Sequence, residues 1–283
     1  FFDNHFTEYF KVDSGFVPME NPFCANPHEN EGSDPVYGTL AGQGNHSLST
    51  ADVDGDGCHE IIYGGAVIDH DGSLLYSSYG YLPDGTYAKF GHGDAMHAFD
   101  IIPSREGLEI FSVHEHKDAK YQVEIHDAET GEIIYGFFTG VDTGRGVAAD
   151  IDPTAEGAEF WSNSEWNGTN GGLYSSLSTF ESPLLLSQKT PSVNFSIYWD
   201  GDLLSELQDH TFNNSGTNYY PVSTNITKWD YENKASITLL ESAEIFTSNG
   251  TKGNLGLVAD IIGDWREEII ARTSADDSKI RIY

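Results

Sequence analysis

Asp52-Val53-Asp54-Gly55-Asp56-Gly57-Cys58-His59-Glu60 runs directly into Ile61-Ile62-Tyr63. Counted from Asp52, carboxylates stand at positions 1, 3, 5 and 9, with glycine at position 6. A hard cation such as Ca²⁺ takes several oxygen ligands from a short, sharply turning loop, and this spacing supplies them. An EF-hand would place its last acid at position 12 and continue into a helix. Here the last acid is at position 9 and a β-branched run follows, so the loop joins two strands.

Degenerate copies of the loop recur down the chain. Asp100-Ile101-Ile102-Pro103 closes on Glu109-Ile110-Phe111. Asp150-Ile151-Asp152-Pro153 closes on Glu159-Phe160-Trp161. Asp260-Ile261-Ile262-Gly263-Asp264 closes on Glu267-Glu268-Ile269-Ile270. The leading aspartates are separated by 48, 50 and 110 residues, the last being about two periods. Trp199-Asp200-Gly201-Asp202 lies near the skipped register. A period near 50 with several short strands per unit predicts an all-β propeller, five to six blades long over residues 1–283, rather than a sandwich with chance acidic turns. Tyr121–Tyr135 reads as strand, Asp/Gly turn, strand, and Val67–Leu75 as a shorter version. Residues 205–240, rich in Asn, Thr, Ser and Tyr, read as a loop insertion within a blade, and residues 15–44 as loop.

The net charge of −31 argues against nucleic acid and anionic membrane surfaces as partners. It also makes the compact state self-repelling, so cations bound in the loops would contribute to folding stability. A salt-adapted surface is the alternative origin of the charge. No apolar run is long enough to span a membrane. The two cysteines, Cys24 and Cys58, are either one disulfide or two unrelated thiols. Asn-x-Ser/Thr sequons such as Asn167, Asn213 and Asn225 carry little weight in an Asn/Ser-rich chain. The start at Phe1-Phe2 and the end at Arg281-Ile282-Tyr283 suggest a piece of a longer protein.

Chemistry is expected at the opposite strand end from the acidic loops, roughly 20 Å away at about 3.3 Å per residue. Upstream of the four aspartates stand Asn45-His46, His92 through His97, Asp142-Thr143-Gly144-Arg145, and Asn249-Gly250-Thr251-Lys252. Only 14 side chains of the chain are Lys or Arg, and one of each falls at equivalent strand ends. Glycines beside them let backbone approach a ligand. His97 reads as a packed histidine within its strand. His114-Glu115-His116 resembles a metal cluster, but alternation puts the histidines on one face and Glu115 on the other. Arg145 could instead neutralise Asp142 or Asp150, and Lys252 could be a turn lysine.

At these segments the chain resembles the rhamnogalacturonan lyases of polysaccharide lyase family 11. The resemblance is carried by Gly42–Gly57, Gly91–His97, Asp142–Pro153, Asn194–Leu204, and the stretches Asn249–Lys252 and Gly263–Glu268. It implies an eight-bladed propeller studded with Ca²⁺, of roughly twice this length. The implied activity is cleavage of the rhamnose–galacturonic acid backbone of pectin by β-elimination, in an extracellular protein. It assigns Asn249, Gly250, Thr251 and Lys252, with Arg145, to the active cleft, and points to His46 and His92 as cleft or metal-site residues. For elimination at a uronate, the expected catalytic pair is Arg145, neutralising the carboxylate, and Lys252, acting as base. Metal ligands are expected at Asp52, Asp54, Asp56 and Glu60, at Asp150, Asp152 and Glu159, and at Asp260, Asp264 and Glu268. Relative to the family, N-terminal blades and a C-terminal tail are expected to be missing, and residues 79–90 and 205–240 look inserted. Acidic loops alone fit a competing class equally well, a non-catalytic Ca²⁺-binding propeller for carbohydrate binding or adhesion.

Overall fold

A computed structural model describes residues 40, 42–78, 88, 90–163, 171–211, 223–248, 252–276 and 278–283. Among them are twenty strands and no α-helix. They form five consecutive units. The first comprises β1 (Gly44–Ala51), β2 (Glu60–Gly64), β3 (Ala66–Ile68) and β4 (Leu74–Ser77). The second comprises β5 (Gly93–Phe99), β6 (Glu109–His114), β7 (Val123–Asp127) and β8 (Ile133–Phe137). The third comprises β9 (Gly146–Ala149), β10 (Glu159–Ser162), β11 (Leu173–Ser175) and β12 (Leu185–Ser187). The fourth comprises β13 (Phe195–Ile197), β14 (Glu206–His210), β15 (Thr224–Asp230) and β16 (Ala235–Ser242). In the fifth, β19 (Glu268–Thr273) pairs with β17 (Ile245–Phe246), β18 (Leu257–Ala259) and β20 (Ile280–Ile282).

Each of the first four units is an antiparallel meander of neighbouring strands. The expected hairpins are found at β7–β8 and β3–β4. The stretch 205–240 is corrected. Its described part is no loop insertion but β14, β15 and most of β16, which fill the skipped register. The composition misleads because β16 exposes most of its residues, apolar Ile237 and Leu239 among polar Ser236, Thr238 and Glu241, so no alternation of buried and exposed positions marks it as a strand. Residues 1–39 and most of 79–89 lie outside the described residues, and with them Cys24. Cys58 is an exposed free thiol.

The acidic loop, between the first two strands in units one to four and between β18 and β19 in the fifth, is locked the same way five times. One oxygen of the glutamate opening the strand after the loop accepts backbone N–H groups from the start of the loop. Glu60 Oε2 accepts from Val53 at 2.7 Å. Glu109 Oε2 accepts from Ile101 and Ile102 at 3.0 and 2.9 Å, and Glu159 Oε2 from Ile151 and Asp152 at 2.9 Å each. Glu206 Oε2 accepts from Trp199 and Asp200, and Glu268 Oε2 from Ile261 and Ile262. A carboxylate holding two peptide N–H groups fixes a turn more firmly than neutral hydrogen bonds do.

The apolar core lies between successive units. Val53, Ile62, Val67, Met96 and Ile110 pack the first unit on the second. Phe111, Val123, Ile125, Phe160 and Tyr174 pack the second on the third. Val147, Trp161, Leu173, Leu207 and Trp229 pack the third on the fourth, and Ile197, Ile226, Ile245 and Ile269 the fourth on the fifth. Strands β1 and β5 run parallel and meet at Asn45 and Gly93. Asn45 Nδ2 donates across that seam to Ala95 O and Ser112 Oγ. A Cβ on Gly93 would stand 2.3 Å from both Asn45 Oδ1 and Val113 O, so only glycine permits the approach.

Candidate functional site

The first strand of each unit enters at one common end, and the acidic loops leave from the other. At the entry end a cleft of about 510 Å³ is lined by His46, Asp94, His97, Arg145, Asn194 and Lys252, among others. Five units therefore contribute to it, through β1, β5, the approaches to β9 and β13, and the segment ahead of β18.

Asp94 is the centre of the cleft. Its Oδ1 lies 2.8 Å from Lys252 Nζ and 3.1 Å from His46 Nε2. Its Oδ2 accepts from Arg145 Nη1 at 3.2 Å. One carboxylate on the second unit thus gathers basic groups from the first, third and fifth. Arg145 Nη1 also donates to Gly144 O at 2.6 Å, and Lys252 Nζ to Asp94 O at 3.2 Å. Burial lowers the Lys252 pKa against the pull of Asp94, and the Arg145 charge lowers it further. The turn carrying Lys252 is anchored from the fourth unit, where Gln208 Nε2 donates to Gly253 O at 3.1 Å.

Behind His46 and Asp94 stand His92 and Glu115. His92 Nδ1 faces Gly44 O at 2.6 Å, which makes that nitrogen the donor and turns Nε2 toward Glu115 Oε1, 3.9 Å away. The His92 ring meets His46 edge-on at 4.8 Å. Burial, with the charges of Asp94 and Asp142, pushes the Glu115 pKa up to about 7. One ligand atom from each of His46, His92, Asp94 and Glu115 lies within 4.8 Å of the others.

Strand β6 ends at His114, so only that histidine of the His-Glu-His run lies in a strand. Glu115 groups with His46, His92 and Asp94, while His114 is fully buried. His114 Nε2 faces Glu124 Oε1 at 3.1 Å and Nδ1 faces Gly91 O at 3.4 Å, so both nitrogens point at acceptors. His126 completes the buried network through Glu124 Oε2 and the Tyr76 hydroxyl. His97 is half-buried on β5 and tilted against Phe111; burial pushes its pKa down to about 4. Asn249, Gly250 and Thr251 lie outside the described residues. Asp94 was legible as an acid inside a glycine-flanked basic segment, but its partners are 48 to 158 residues away in sequence, beyond local pattern reading.

At the loop end, Asp52, Asp54 and Glu60 bring three carboxylate oxygens within 4.8 Å of one another. Asp56 turns instead toward His70, 3.3 Å away, in a separate group with Cys58. Asp150, Asp152 and Glu159 do not converge as tightly; Asp152 caps Thr154 and meets Lys234 Nζ at 3.4 Å. Asp260 is occupied by the backbone N–H groups of Gly263, Asp264 and Trp265, and Asp264 is paired with Arg266. Asp52 Oδ1, Glu60 Oε1 and Glu159 Oε1 are buried and accept no hydrogen bond.

The family described as "Rhamnogalacturonan lyase family 11, C-terminal domain" matches residues 28–283. The chain is 46% identical over 253 residues to the rhamnogalacturonan exolyase YesX of Bacillus subtilis (strain 168), covering 89% of this chain and 38% of that protein. It is also 46% identical, over 244 residues, to the rhamnogalacturonan endolyase YesW of the same organism, covering 86% of this chain and 34% of that protein. The crystal structure of YesX superposes with a TM-score of 0.75, covering 89% of this chain and 39% of that one. The Bacillus licheniformis rhamnogalacturonan lyase superposes with a TM-score of 0.72 over 89% of this chain and 38% of that one, at 46% identity. The chain therefore spans less than two-fifths of the length of these relatives and belongs to rhamnogalacturonan lyase family 11 through its C-terminal domain.

Proposed function

We propose that the five units are successive blades of a β-propeller, and that this propeller cleaves rhamnogalacturonan by β-elimination at the uronate. The parallel contact of β1 with β5 and the cores packed between units support the propeller reading. The observation that carries the chemistry is the Asp94 cluster, which presents Arg145 and Lys252 to one cleft.

Elimination removes the proton on the carbon α to the uronate carboxylate. Its electron pair forms a double bond to the β carbon, the glycosidic oxygen leaves from that carbon, and the leaving oxygen takes up a proton. Abstraction places charge beside an existing anion, so the carboxylate must be neutralised. Arg145 is held in place by Asp94 and Gly144 to do this. Lys252 is assigned the role of base because it stands beside Arg145 on the same carboxylate. His46, His92, Asp94 and Glu115 suit a divalent cation, which when bound supplies further positive charge at the carboxylate. The orphaned, buried oxygens of Asp52, Glu60 and Glu159 suit Ca²⁺ with a structural role in the first and third loops. The polysaccharide is a plant cell-wall polymer, which goes with an extracellular setting.

The test follows the ultraviolet absorbance of the conjugated unsaturated uronate during incubation with rhamnogalacturonan. Arg145→Ala should lower kcat about 10²–10³-fold and Lys252→Ala about 10²–10⁴-fold, with nearly unchanged melting temperatures. Saccharide binding without the ultraviolet product would leave a binding propeller instead.

A further inference from the structure

In the fourth unit the acidic loop is already filled from within. Lys228 Nζ donates to Asp200 Oδ2 at 2.5 Å, Asp202 Oδ2 at 2.7 Å and Glu206 Oε1 at 2.8 Å. An ammonium has three N–H donors, and here each meets a different carboxylate. The loop has the build of the first one. Asp200 and Asp202 stand where Asp54 and Asp56 do, each accepting from the backbone N–H two residues on, and Tyr198 takes the place of Asp52. Glu206 pins the loop start with Oε2 and turns Oε1 inward, as Glu60 does. The difference is at that inward oxygen. Glu60 Oε1 accepts no hydrogen bond, whereas Glu206 Oε1 accepts from Lys228. The second loop shows a weaker form, with Arg105 Nε 3.5 Å from the inward Oε1 of Glu109.

We propose that the Asp200–Asp202–Glu206 cage is a divalent-cation site whose cation has been replaced by the tethered ammonium of Lys228, so that the fourth unit is locked without metal.

The physical case is one of position and tethering. Calcium–oxygen distances are about 2.3–2.6 Å, so an ammonium at 2.5–2.8 Å occupies the same volume and takes the same oxygens. Metal entry would break three charge-assisted hydrogen bonds and strand a mostly buried ammonium. Lys228 is fixed in β15, next to β14 that carries Glu206, so no chelator can remove it. The side chain is 20% exposed. Burial pulls its pKa down, but the bonds to Asp200, Asp202 and Glu206 outweigh that and hold it charged well above the ordinary range. The inference rests on reading the acidic loops as one cation-binding design and is independent of lyase activity.

Equilibrium dialysis against Ca²⁺ tests it on the intact protein. Lys228→Met keeps the apolar stem and removes the charge; it should gain one Ca²⁺ per chain. Lys228→Met combined with Asp202→Asn should return to the wild-type count. Asp202→Asn alone should leave that count unchanged. If Asp202→Asn alone loses one Ca²⁺, the wild-type cage holds metal and the proposal fails. It fails equally if folded Lys228→Met gains none. Should Lys228→Met unfold without metal, recovery of its near-ultraviolet circular dichroism on adding Ca²⁺ is the expected result, and the Asp202→Asn count decides if it does not recover. A wild-type protein with no bound Ca²⁺ would instead sink the metal reading of the first and third loops, and the gain in Lys228→Met is read separately from it.

Discussion

At the scale of single residues, the cleft depends on Asp94 arranging groups of opposite charge. Lys252 and Arg145 would repel one another in water; a shared carboxylate lets both stand in one small volume. The Lys252→Ala and Arg145→Ala losses should therefore appear in kcat with little change in fold, and Lys252→Arg should fail to rescue because a guanidinium cannot give up its proton at neutral pH. His97 makes a different prediction. Its pKa is about 4 in the folded chain, against an ordinary 6.5. Between those values the unfolded chain binds the proton and the folded chain does not, so stability falls as pH drops from about 6.5 toward 4. His97→Asn should flatten that part of the profile of melting temperature against pH. An unchanged slope would show that other groups set it.

At the scale of elements, the unit is defined by the glutamate that opens the strand after its acidic loop. That residue is polar and fully buried in the first four units, and one of its two oxygens is satisfied by the backbone it pins. Glu159→Ala would leave the N–H groups of Ile151 and Asp152 buried without acceptors, at roughly 1–3 kcal/mol each. Denaturant unfolding should register most of that loss. A loss below half of it would mean that water replaces the carboxylate. The Asp200 loop keeps this frame and closes it with a side-chain cation. Its glutamate does the same pinning, yet its charge is met by a lysine from the neighbouring strand.

At the scale of the molecule, stability resides between units, since each sheet buries its faces against the next. Phe160 is fully buried among Phe111, Tyr135, Phe137 and Tyr174 at the boundary of the second and third units. Phe160→Ala should cost about 3–5 kcal/mol, and an effect under about 1 kcal/mol would mean the units do not depend on that interface. The charge of −31 adds a demand for cations. A site held at a hundred times its Kd contributes about 2.7 kcal/mol. At roughly 2–4 °C per kcal/mol for a chain of this size, filling the first and third loops should raise the melting temperature by about 10 °C or more. Excess chelator should remove that gain, and no shift would mean that neither loop holds metal.

The sequence by itself determined the all-β class, the repeat near 50 residues and the positions of the acidic loops. These follow from local rules: side-chain alternation, turn residues, and carboxylates spaced for a tight loop. It also placed Arg145, Lys252, His46 and His92 at equivalent strand ends, because a repeat carries its register with it. Only the tertiary structure decided what those ends meet. Asp94 reaches Lys252 across 158 residues, and Lys228 reaches Asp200 across 28. Local composition even pointed the wrong way over 205–240, where strands read as loop. A strand exposed along most of its length, as β16 is, shows no alternation of buried and exposed positions, and ion pairing across units leaves no periodic trace. Such contacts are set by how the sheets pack, which is a property of the whole chain.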